Sequence, residues 1–381
     1  MPNFSHHLLL ITNSFFIMKN STAFAMLLLL VMVLSGEGQN WNITSRKKEI
    51  SKNSCDLYTG KWVYDSSYPL YDASSCPFFE KQFGCEKNGR PDKNYLKFRW
   101  KPSHCFFPRF DGADFLRRLR GKKILFVGDS ISLNQWQSLA CMLHTAVPQS
   151  KYTLARSGGL SEFTFPDYNT SLTLLRDGFL IKIVNKKAGR VLVLNSVSQG
   201  KSWKGFDILI FNTWHWWLHT GRKQPWDFIE DGNKLYKDMD RLVAYEKGLK
   251  TWTRWVDLHL SSSDIRVFFQ GVSPDHMNAL NWTAPNARTC IGVKRPLLGA
   301  TNNGVVEEHP AERIVEKVIK KMEKPVELLR VTPLSQLRRD GHPGVYGIGR
   351  HRLPDCSHWC LPGVPDAWNH LLYASLYFSA S

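Results

Sequence analysis

Ile124-Leu-Phe-Val-Gly-Asp-Ser-Ile-Ser-Leu-Asn-Gln-Trp-Gln-Ser138 is a segment whose pattern changes twice along its length. An apolar run with the length of a buried strand is followed by Gly128, which permits a sharp turn, and then by residues typical of a helix. This order places Ser130 at the carboxyl end of a strand, next to the N–H groups that open a helix and can stabilise an oxyanion. The alternative interpretation is that Asp129 or Ser130 only caps the helix.

A second segment, Leu353-Pro-Asp-Cys-Ser-His-Trp-Cys-Leu-Pro-Gly363, supplies an acid and an imidazole. Asp355 and His358 are three residues apart, so within one helical turn they project to the same side. Asp355 would accept the Nδ1 proton of His358 and leave Nε2 to take a proton from Ser130. These three residues predict acyl transfer through a covalent intermediate. His342 is an alternative base, but its Arg-Asp-Gly-His-Pro-Gly context is typical of an exposed turn, which favours His358.

Periodic patterns along the rest of the chain predict strands that alternate with helices. Amphipathic helices are predicted over Leu235–Leu260, interrupted by Gly248, and over Ala311–Glu323, ended by Pro325. Strands are predicted at 172–175, 179–184, 191–194, 208–211, 267–270 and 326–331. This alternation predicts an α/β fold, a three-layer sandwich around a mainly parallel central sheet, with ligands at the carboxyl ends of the strands.

The motif Phe211-Asn-Thr-Trp-His-Trp-Trp217 follows a predicted strand directly and is expected to border the same cleft as Ser130. Asn212 and His215 are candidate hydrogen-bond donors to the oxyanion. Trp216 is a candidate platform for a sugar ring. Tryptophan clusters more often belong to a core, and that alternative stays open.

Several further motifs, in a consistent order, resemble those of a known family. Downstream of Gly-Asp-Ser they are Leu337-Arg-Arg-Asp-Gly-His-Pro343 and Asp355-Cys-Ser-His-Trp-Cys-Leu-Pro-Gly-Val-Pro-Asp-Ala-Trp-Asn369. Upstream they are Cys55-Asp-Leu-Tyr-Thr-Gly-Lys-Trp-Val-Tyr-Asp65, Asn88-Gly-Arg-Pro-Asp-Lys-Asn-Tyr95 and Arg99-Trp-Lys-Pro-Ser-His-Cys105. With the GDSL/SGNH-hydrolase order of Ser then Asp-x-x-His, they resemble the plant trichome birefringence-like family of cell-wall polysaccharide O-acetyltransferases. The resemblance runs from roughly Cys55 to the C-terminus.

The resemblance implies a reaction and the residues that carry it. Ser130 would attack an acetyl donor, acetyl-CoA or a derived donor, with His358 as general base oriented by Asp355, and a sugar hydroxyl would then take the acetyl group. No tightly bound cofactor and no metal are expected. Hydrolysis of the same acyl-enzyme would make the protein a polysaccharide acetylesterase instead. Asn134 matches the family and is a further candidate for oxyanion or substrate contact, but Leu133 stands where many members have arginine, so acceptor specificity does not transfer directly.

The N-terminal segment predicts entry into the secretory pathway. Ala23–Leu34 is an unbroken apolar run with the form of a signal-peptide core, and the longer stretch from Leu8 would also serve as a signal-anchor. The resemblance implies a single-pass Golgi membrane protein with a luminal catalytic domain, or a protein secreted to the cell wall. The predicted organisation is a signal peptide or anchor at 1–36, a stem at 37–54, a Cys-rich irregular subdomain at 55–108 and an SGNH-like catalytic domain at 109–381.

Cysteines and glycosylation sequons both fit a luminal location. The eight cysteines all follow the apolar run, and an even number in an oxidising compartment indicates four disulfides. The resemblance implies the pairs Cys55–Cys105, Cys76–Cys141, Cys85–Cys360 and Cys290–Cys356. The alternative that Cys356, His358 and Cys360 hold zinc lacks a nearby fourth ligand. Candidate glycosylation sites are Asn42, Asn169 and Asn281.

The net charge of +17 implies attraction to a polyanion. The secretory location argues against nucleic acid and leaves an acidic wall polysaccharide such as pectin, although neutral xylan or mannan stays open as the acceptor. A set of basic residues interleaved with aromatic ones would line a groove for an acidic chain or form a basic surface over inward-packed rings. These residues are Arg90, Lys93, Lys97, Arg99 and Lys101 with Tyr95, Phe98 and Trp100. A non-catalytic pectin-binding wall protein would have the same charge and is the alternative from another class.

Overall fold

A computed structural model describes residues 56–103, 105–277, 289–297, 299, 301, 308–347 and 354–378 of the chain. The predicted signal segment and stem lie outside the described residues. Within the described ranges, no helix combines the length and the apolar character needed to cross a bilayer.

The N-terminal part of the described chain is a hairpin surrounded by short turns of 3₁₀ helix. Its strands are β1 (Gly60–Tyr64) and β2 (Phe98–Pro102), which pair antiparallel. Arg90 is buried, with its guanidinium over the Tyr95 ring at 3.8 Å, and Trp100 is buried beside the hairpin. The predicted groove for an acidic chain is therefore wrong for these three residues, because they pack inward and tie this subdomain to the rest of the fold.

Strand β3 (Lys123–Gly128) lies in the middle of a seven-stranded sheet. Ile124 and Phe126 point into one hydrophobic core, and Leu125 and Val127 into another, because successive side chains of a strand face opposite sides. Burial on both faces explains why the strand is a continuous apolar run and does not alternate with polar residues.

The seven-stranded sheet is mainly parallel, which confirms the predicted fold class. Its spatial order is β13 (Val326–Leu329), β12 (Arg266–Gln270), β9 (Ile208–Phe211), β3, β6 (Thr170–Arg176), β5 (Leu160–Phe165) and β4 (Thr153–Ser157). Strand β3 runs parallel to both β6 and β9, while β4 and β5 form an antiparallel edge. The carboxyl ends of β3 and β9 therefore lie at one edge of the sheet, and the segments that follow them meet there.

Helices cover both faces of this sheet and complete the three layers. The core on one face includes residues of α1 (Gly112–Arg118), α2 (Ser130–Ala146) and α6 (Val364–Phe378). The core on the other includes residues of α3 (Arg241–Leu260) and α4 (Pro310–Ile319), while the short α5 (Val331–Gln336) follows β13.

A second sheet packs on the α3 side and was not assigned from the sequence. Its four strands are, in spatial order, β11 (Lys234–Tyr236), β10 (Phe228–Asp231), β8 (Gly189–Val197) and β7 (Ile181–Lys186). Leu192 and Leu194 of β8 share a core with Trp252 of α3. This second sheet packs against apolar residues of α3. The helix therefore contacts both the central sheet and the second sheet within one hydrophobic core.

The predicted helix over Leu235–Leu260 is wrong in its start and in its interruption. Helix α3 begins at Arg241, where the Asp240 side chain accepts hydrogen bonds from the N–H groups of Leu242 and Val243 at 3.0 Å. The helix continues through Gly248, where an added Cβ would lie 2.9 Å from the ring of Trp217. That glycine is present for close packing and does not break the helix.

Candidate active site

The turn after β3 both caps a helix and presents a serine. The Asp129 side chain accepts a hydrogen bond from the Ile131 N–H at 2.9 Å, and Ser130 is the first residue of α2. The turn requires glycine at position 128, because an added Cβ would lie 2.6 Å from the carbonyl oxygen of Asn212. The two interpretations of this segment are thus compatible: Asp129 is the cap, and Ser130 is held by a rigid turn at the edge of the sheet.

Ser130, His358 and Asp355 form a continuous hydrogen-bonded chain. The Oγ atom of Ser130 lies 2.7 Å from Nε2 of His358, and Nδ1 of His358 lies 2.8 Å from Oδ2 of Asp355. The second carboxylate oxygen accepts from the backbone N–H groups of Ser357 at 3.1 Å and of His358 at 3.0 Å. Because the carboxylate accepts from Nδ1, the lone pair of Nε2 faces the serine hydroxyl, as a general base requires.

The charges in this chain stabilise each other. Burial alone would raise the pKa of Asp355, but hydrogen bonds and the positive charge of His358 hold that pKa well below its usual range. Burial alone would lower the pKa of His358, and the hydrogen bond to Asp355 outweighs this and raises it. His358 can therefore accept a proton as the reaction proceeds while Asp355 stays ionised.

The loop that carries His358 is fixed on both sides. The backbone of Trp359 forms two hydrogen bonds with one side chain: Nδ2 of Asn134 donates to its carbonyl at 3.1 Å, and Oδ1 accepts from its N–H at 2.8 Å. The disulfides Cys290–Cys356 and Cys85–Cys360 flank the histidine. Asn134 is thus committed to the loop backbone, and its role at the site is to join helix α2 to the residue after the base.

The disulfides follow the pairing that the resemblance implies wherever both partners are described. Cys76–Cys141 is the third bond, and Cys105 is also disulfide-bonded, while Cys55 lies outside the described residues. The sulfurs of Cys356 and Cys360 are therefore not available as zinc-binding thiolates. Disulfides on this scale indicate an oxidising compartment and hence the secretory pathway.

A cleft of about 840 Å³ opens beside Ser130. His215 and Trp216 both line it, as predicted from the motif that follows β9, and Nε2 of His215 lies 2.8 Å from the carbonyl oxygen of Ser273. Trp214 and Trp217 are 5 % and 1 % exposed and pack in the core. The tryptophan cluster is therefore divided: Trp216 lines the cleft and is partly buried, Trp217 lies in the core, and the buried Trp214 also contributes to the lining.

Two residues discussed from the sequence lie away from the open part of the cleft. Asn212 is buried beside Gly128, and its Oδ1 has no hydrogen-bond partner among the residues that the structure describes. Leu133, which stands where many family members have arginine, is 3 % exposed and belongs to the core beneath α2. Position 133 of this chain thus contributes packing and presents no side chain to the cleft.

His342 is buried, contrary to the expectation of an exposed turn. It is 3 % exposed, and its Nδ1 lies 2.6 Å from the carbonyl oxygen of His358. Burial lowers the pKa of His342 to about 3, and its second nitrogen meets His276 at 2.6 Å. His276 was missed from the sequence, although its place in the segment that follows β12 at the carboxyl edge of the sheet was a signal for it.

The sequon at Asn169 ends a short 3₁₀ turn. Asn169 adopts a left-handed conformation with φ of 50° and is exposed. Asn42 and Asn281 lie outside the described residues. Asn169 thus remains a candidate glycosylation site at a turn, where a glycan would project from the surface.

The fold and the site together define a class of enzyme. The serine lies at a strand-to-helix turn of a mainly parallel α/β sheet. It is joined through a histidine to an aspartate that precedes the histidine by three residues. This arrangement is typical of GDSL/SGNH-type acyl-transfer enzymes. Residues 107–375 match the PC-Esterase family, a GDSL/SGNH-like acyl-esterase family found in Pmr5 and Cas1p. Residues 53–106 match the PMR5 N-terminal domain.

Comparison with individual proteins gives the same result over nearly the whole chain. Protein trichome birefringence-like 43 of Arabidopsis thaliana is 52% identical across 93% of this chain and 97% of its own length. Protein trichome birefringence-like 40 of the same plant is 54% identical across 86% of this chain and 89% of its own length. The chain belongs to the trichome birefringence-like family.

Proposed function

We propose that this protein is an O-acetyltransferase that transfers acetyl groups to hydroxyls of a plant cell-wall polysaccharide of the pectin or xylan type. The observation that carries the proposal is the chain from Ser130 through His358 to Asp355, with 2.7 Å and 2.8 Å between the bonded atoms, beside an open cleft. Membership of the trichome birefringence-like family supports a wall polysaccharide as the substrate class.

The reaction proceeds in two symmetrical halves. The Oγ of Ser130 attacks the acetyl carbonyl of the donor while its proton passes to Nε2 of His358, and the donor's leaving group departs with that proton. A sugar hydroxyl then gives its proton to the same nitrogen and attacks the acetyl-serine, and Nε2 of His358 returns that proton to Oγ of Ser130 as the bond between Oγ and the acetyl carbon breaks. Asp355 stabilises the imidazolium in both halves. The backbone N–H of Ser130, at the first position of α2, has no acceptor within the helix and can therefore donate to the developing oxyanion.

A polysaccharide acetylesterase with the same three residues is the second candidate. The cleft is open on one side and includes His219 and Lys223 in its lining, so water can reach an acyl-enzyme if no sugar occupies it. The matching family description also names acyl-esterases. Transfer and hydrolysis differ only in which hydroxyl reaches the acetyl-serine first.

The net charge of the whole chain favours an acidic acceptor. The charge of +17 attracts uronate carboxylates over a long range, whereas the cleft itself is lined by both Lys223 and the carboxylates of Asp275 and Asp355. A pectin-binding protein without catalysis would share this attraction, but it would have no use for a hydrogen-bonded Ser-His-Asp chain. The protein acts in the secretory pathway, either anchored in the Golgi membrane by its N-terminal segment or secreted to the wall.

The deciding experiment supplies acetyl-CoA or a small activated acetyl ester with homogalacturonan, xylan or mannan oligosaccharides and analyses the sugars by mass spectrometry. We expect an acetylated sugar with wild-type protein and none with Ser130→Ala. Release of acetate without any acetylated sugar would establish the esterase. Salt-sensitive binding of homogalacturonan, with no turnover of any ester, would establish the non-catalytic binder.

A further inference from the structure

Two buried imidazoles lie in contact behind the catalytic loop. His276 is 2 % exposed and His342 is 3 % exposed, and Nδ1 of His276 lies 2.6 Å from Nε2 of His342. Nδ1 of His342 in turn lies 2.6 Å from the carbonyl oxygen of His358. The pair therefore connects the wall of the cleft, where His276 lies, to the backbone of the catalytic base.

The directions of these hydrogen bonds follow from the carbonyl at one end. The His358 carbonyl can only accept, so Nδ1 of His342 carries the proton and Nε2 of His342 accepts. Nδ1 of His276 must then donate. Burial lowers the pKa of His342 to about 3 and that of His276 well below its ordinary value. Both rings are neutral at physiological pH, and a pair of neutral rings has only this one arrangement of protons that satisfies the carbonyl.

The pair also supports the catalytic loop through its backbone and its packing. The backbone N–H of His276 donates to the backbone carbonyl of Cys356 at 3.0 Å. The His342 ring stacks on Trp359, with 4.0 Å between ring centroids and 25° between planes. The carbonyls of Cys356 and His358 and the ring of Trp359 are thus all held by two residues that do not contact Ser130.

We propose that His276 and His342 are positioning residues, a neutral imidazole pair that fixes the backbone of the catalytic loop so that Nε2 of His358 stays aligned with Oγ of Ser130. The inference rests on the proposed Ser130-His358-Asp355 reaction centre. A displacement of the base by about 1 Å lowers the rate by roughly 100-fold. Holding the His358 backbone therefore contributes directly to the rate, although neither imidazole takes part in the chemistry.

The interpretation of a pH profile depends on the charged groups around His358 and around the His276–His342 pair. His358 faces Asp355 and Asp129, which raise its pKa, and Arg176, which lowers it. Burial is the main cause of the low pKa of both rings. Among the charged groups, Arg339 lowers the pKa of His276, while His358 and His215 lower the pKa of His342 and Asp355 raises it. The pair stays neutral throughout the range in which His358 titrates, so a changed midpoint in that range reports the environment of His358.

The test measures the burst of p-nitrophenol that accompanies acylation of Ser130 by p-nitrophenyl acetate, a reaction that needs the base but no sugar. His342→Phe keeps a ring to stack on Trp359 and removes both nitrogens. We expect the burst rate to fall about 10- to 100-fold. We also expect its pH midpoint to move lower, because a displaced His358 loses part of its contact with Asp355.

His370→Phe is the matched control. His370 is also buried, stacks on Phe107 at 3.9 Å and hydrogen-bonds through Nε2 to the carbonyl of Pro108, but it lies on α6 away from the cleft. We expect this variant to lose a similar amount of thermal stability and to keep the wild-type burst rate and pH midpoint. A wild-type burst in folded His342→Phe, or an equal loss in both variants, would overturn the positioning role.

A second pair of variants decides the question if His342→Phe does not fold. Asn at position 342 places its amide near the position of Nδ1 and can still donate to His358, whereas Gln at that position places its amide near Nε2. We expect the burst to be about tenfold faster with His342→Asn than with His342→Gln, and equal rates would overturn the proposal. A wild-type protein that shows no burst would remove the reaction centre and the positioning role together. A burst without sugar acetylation would count only against the proposed acceptor.

Discussion

Helix α2 carries two serines that each approach a carboxylate, with opposite electrostatic results. Ser130 reaches Asp355 through His358, and the pKa of that carboxyl is held well below its usual range. Ser138, about two turns further along the helix, donates directly to Asp366 at 2.6 Å. Burial raises the pKa of Asp366 to about 7.

The difference lies in the partners of the two carboxylates. Within the described ranges, Asp366 accepts from neutral groups only, the hydroxyls of Ser138 and Tyr71 and the N–H of Gly363, and it is enclosed by the core. Asp355 has an imidazole that can become positively charged, and it lies at the edge of a cleft. A serine close to an aspartate is thus insufficient for a reaction centre. The site also needs an imidazole between the two side chains and an opening through which a ligand can enter.

Replacing the two serines separately should give the widest contrast. In Ser130→Ala we expect the turnover of an acetyl ester to fall on the order of 10⁴-fold or more, because the nucleophile is lost. In Ser138→Ala we expect turnover to stay near the wild-type value and the protein to become less stable. Initial rates with p-nitrophenyl acetate and thermal melts of both variants provide the check. Near-wild-type turnover by Ser130→Ala would place the nucleophile elsewhere.

Replacing the two aspartates should separate catalysis from folding. In Asp355→Asn we expect kcat to fall about 10⁴-fold, because the amide no longer selects the tautomer in which Nε2 accepts a proton. Catalysis needs neutral His358, so the rate rises with pH through the pKa of that residue. Asp355 raises this pKa, and its loss should move the midpoint of kcat/KM to lower pH. An unchanged midpoint would show that Asp355 does not contact the base in solution.

Asp366→Asn should change how stability depends on pH. The pKa of Asp366 is about 7 when folded and about 3.9 when unfolded, so the unfolded state ionises first. The stability contribution of Asp366 is therefore present below about pH 4 and is lost as the pH rises toward 7, by on the order of 4 kcal/mol. Urea unfolding of wild type and variant at about pH 5 and about pH 8 measures the difference.

Burial also raises the pKa of Glu312, to about 8, so this residue lowers stability with rising pH in the same way as Asp366. Glu312 remains in the Asp366→Asn variant, and the variant must therefore be compared with the wild type. We expect the variant to lose less stability than the wild type over that range. Parallel pH dependence of the two proteins would mean that Asp366 is ionised in the folded state.

Tyr71→Phe should have the smallest effect. The change removes one hydroxyl that donates to Asp366 at 3.2 Å and leaves the ring in the core. We expect a loss of about 1 kcal/mol in the free energy of unfolding, and no change in kcat, because Ser138 and Gly363 still donate to the carboxylate. Urea titrations and initial rates at one pH are sufficient, and a loss of catalytic rate would connect this cluster to the active site.

Local patterns in the sequence predicted the turn that presents Ser130 and the Asp-x-x-His pair, because both depend on residues close together in the chain. The start of α3 was also a local signal, the Asp240 cap, but the apolar periodicity extending back to Leu235 concealed it. Gly248 resembles a helix break in the sequence, because no neighbouring residue indicates that Trp217 packs against it.

The parts that the sequence did not predict depend on contacts between distant segments. The second sheet pairs β8 with β10 and β7, and alternation within each strand does not identify its partner. His342 resembled a residue of an exposed turn because its cover comes from Trp359 and His276, which belong to other segments. Similarly, Asn134 was a candidate for substrate contact until the backbone of Trp359 was seen to occupy both ends of its amide.

The Cys85–Cys360 bond spans 275 residues and ends two positions after the catalytic histidine. Cys360 must therefore be synthesised and enter the oxidising compartment before the bond can close, so a shorter nascent chain has no completed site. For the same reason, a recombinant protein limited to residues 107–375, the part that matches the PC-Esterase family, lacks Cys85 and leaves Cys360 unpaired. Expression hosts should be chosen for oxidative maturation, and the region around Cys85 should be kept in every recombinant version.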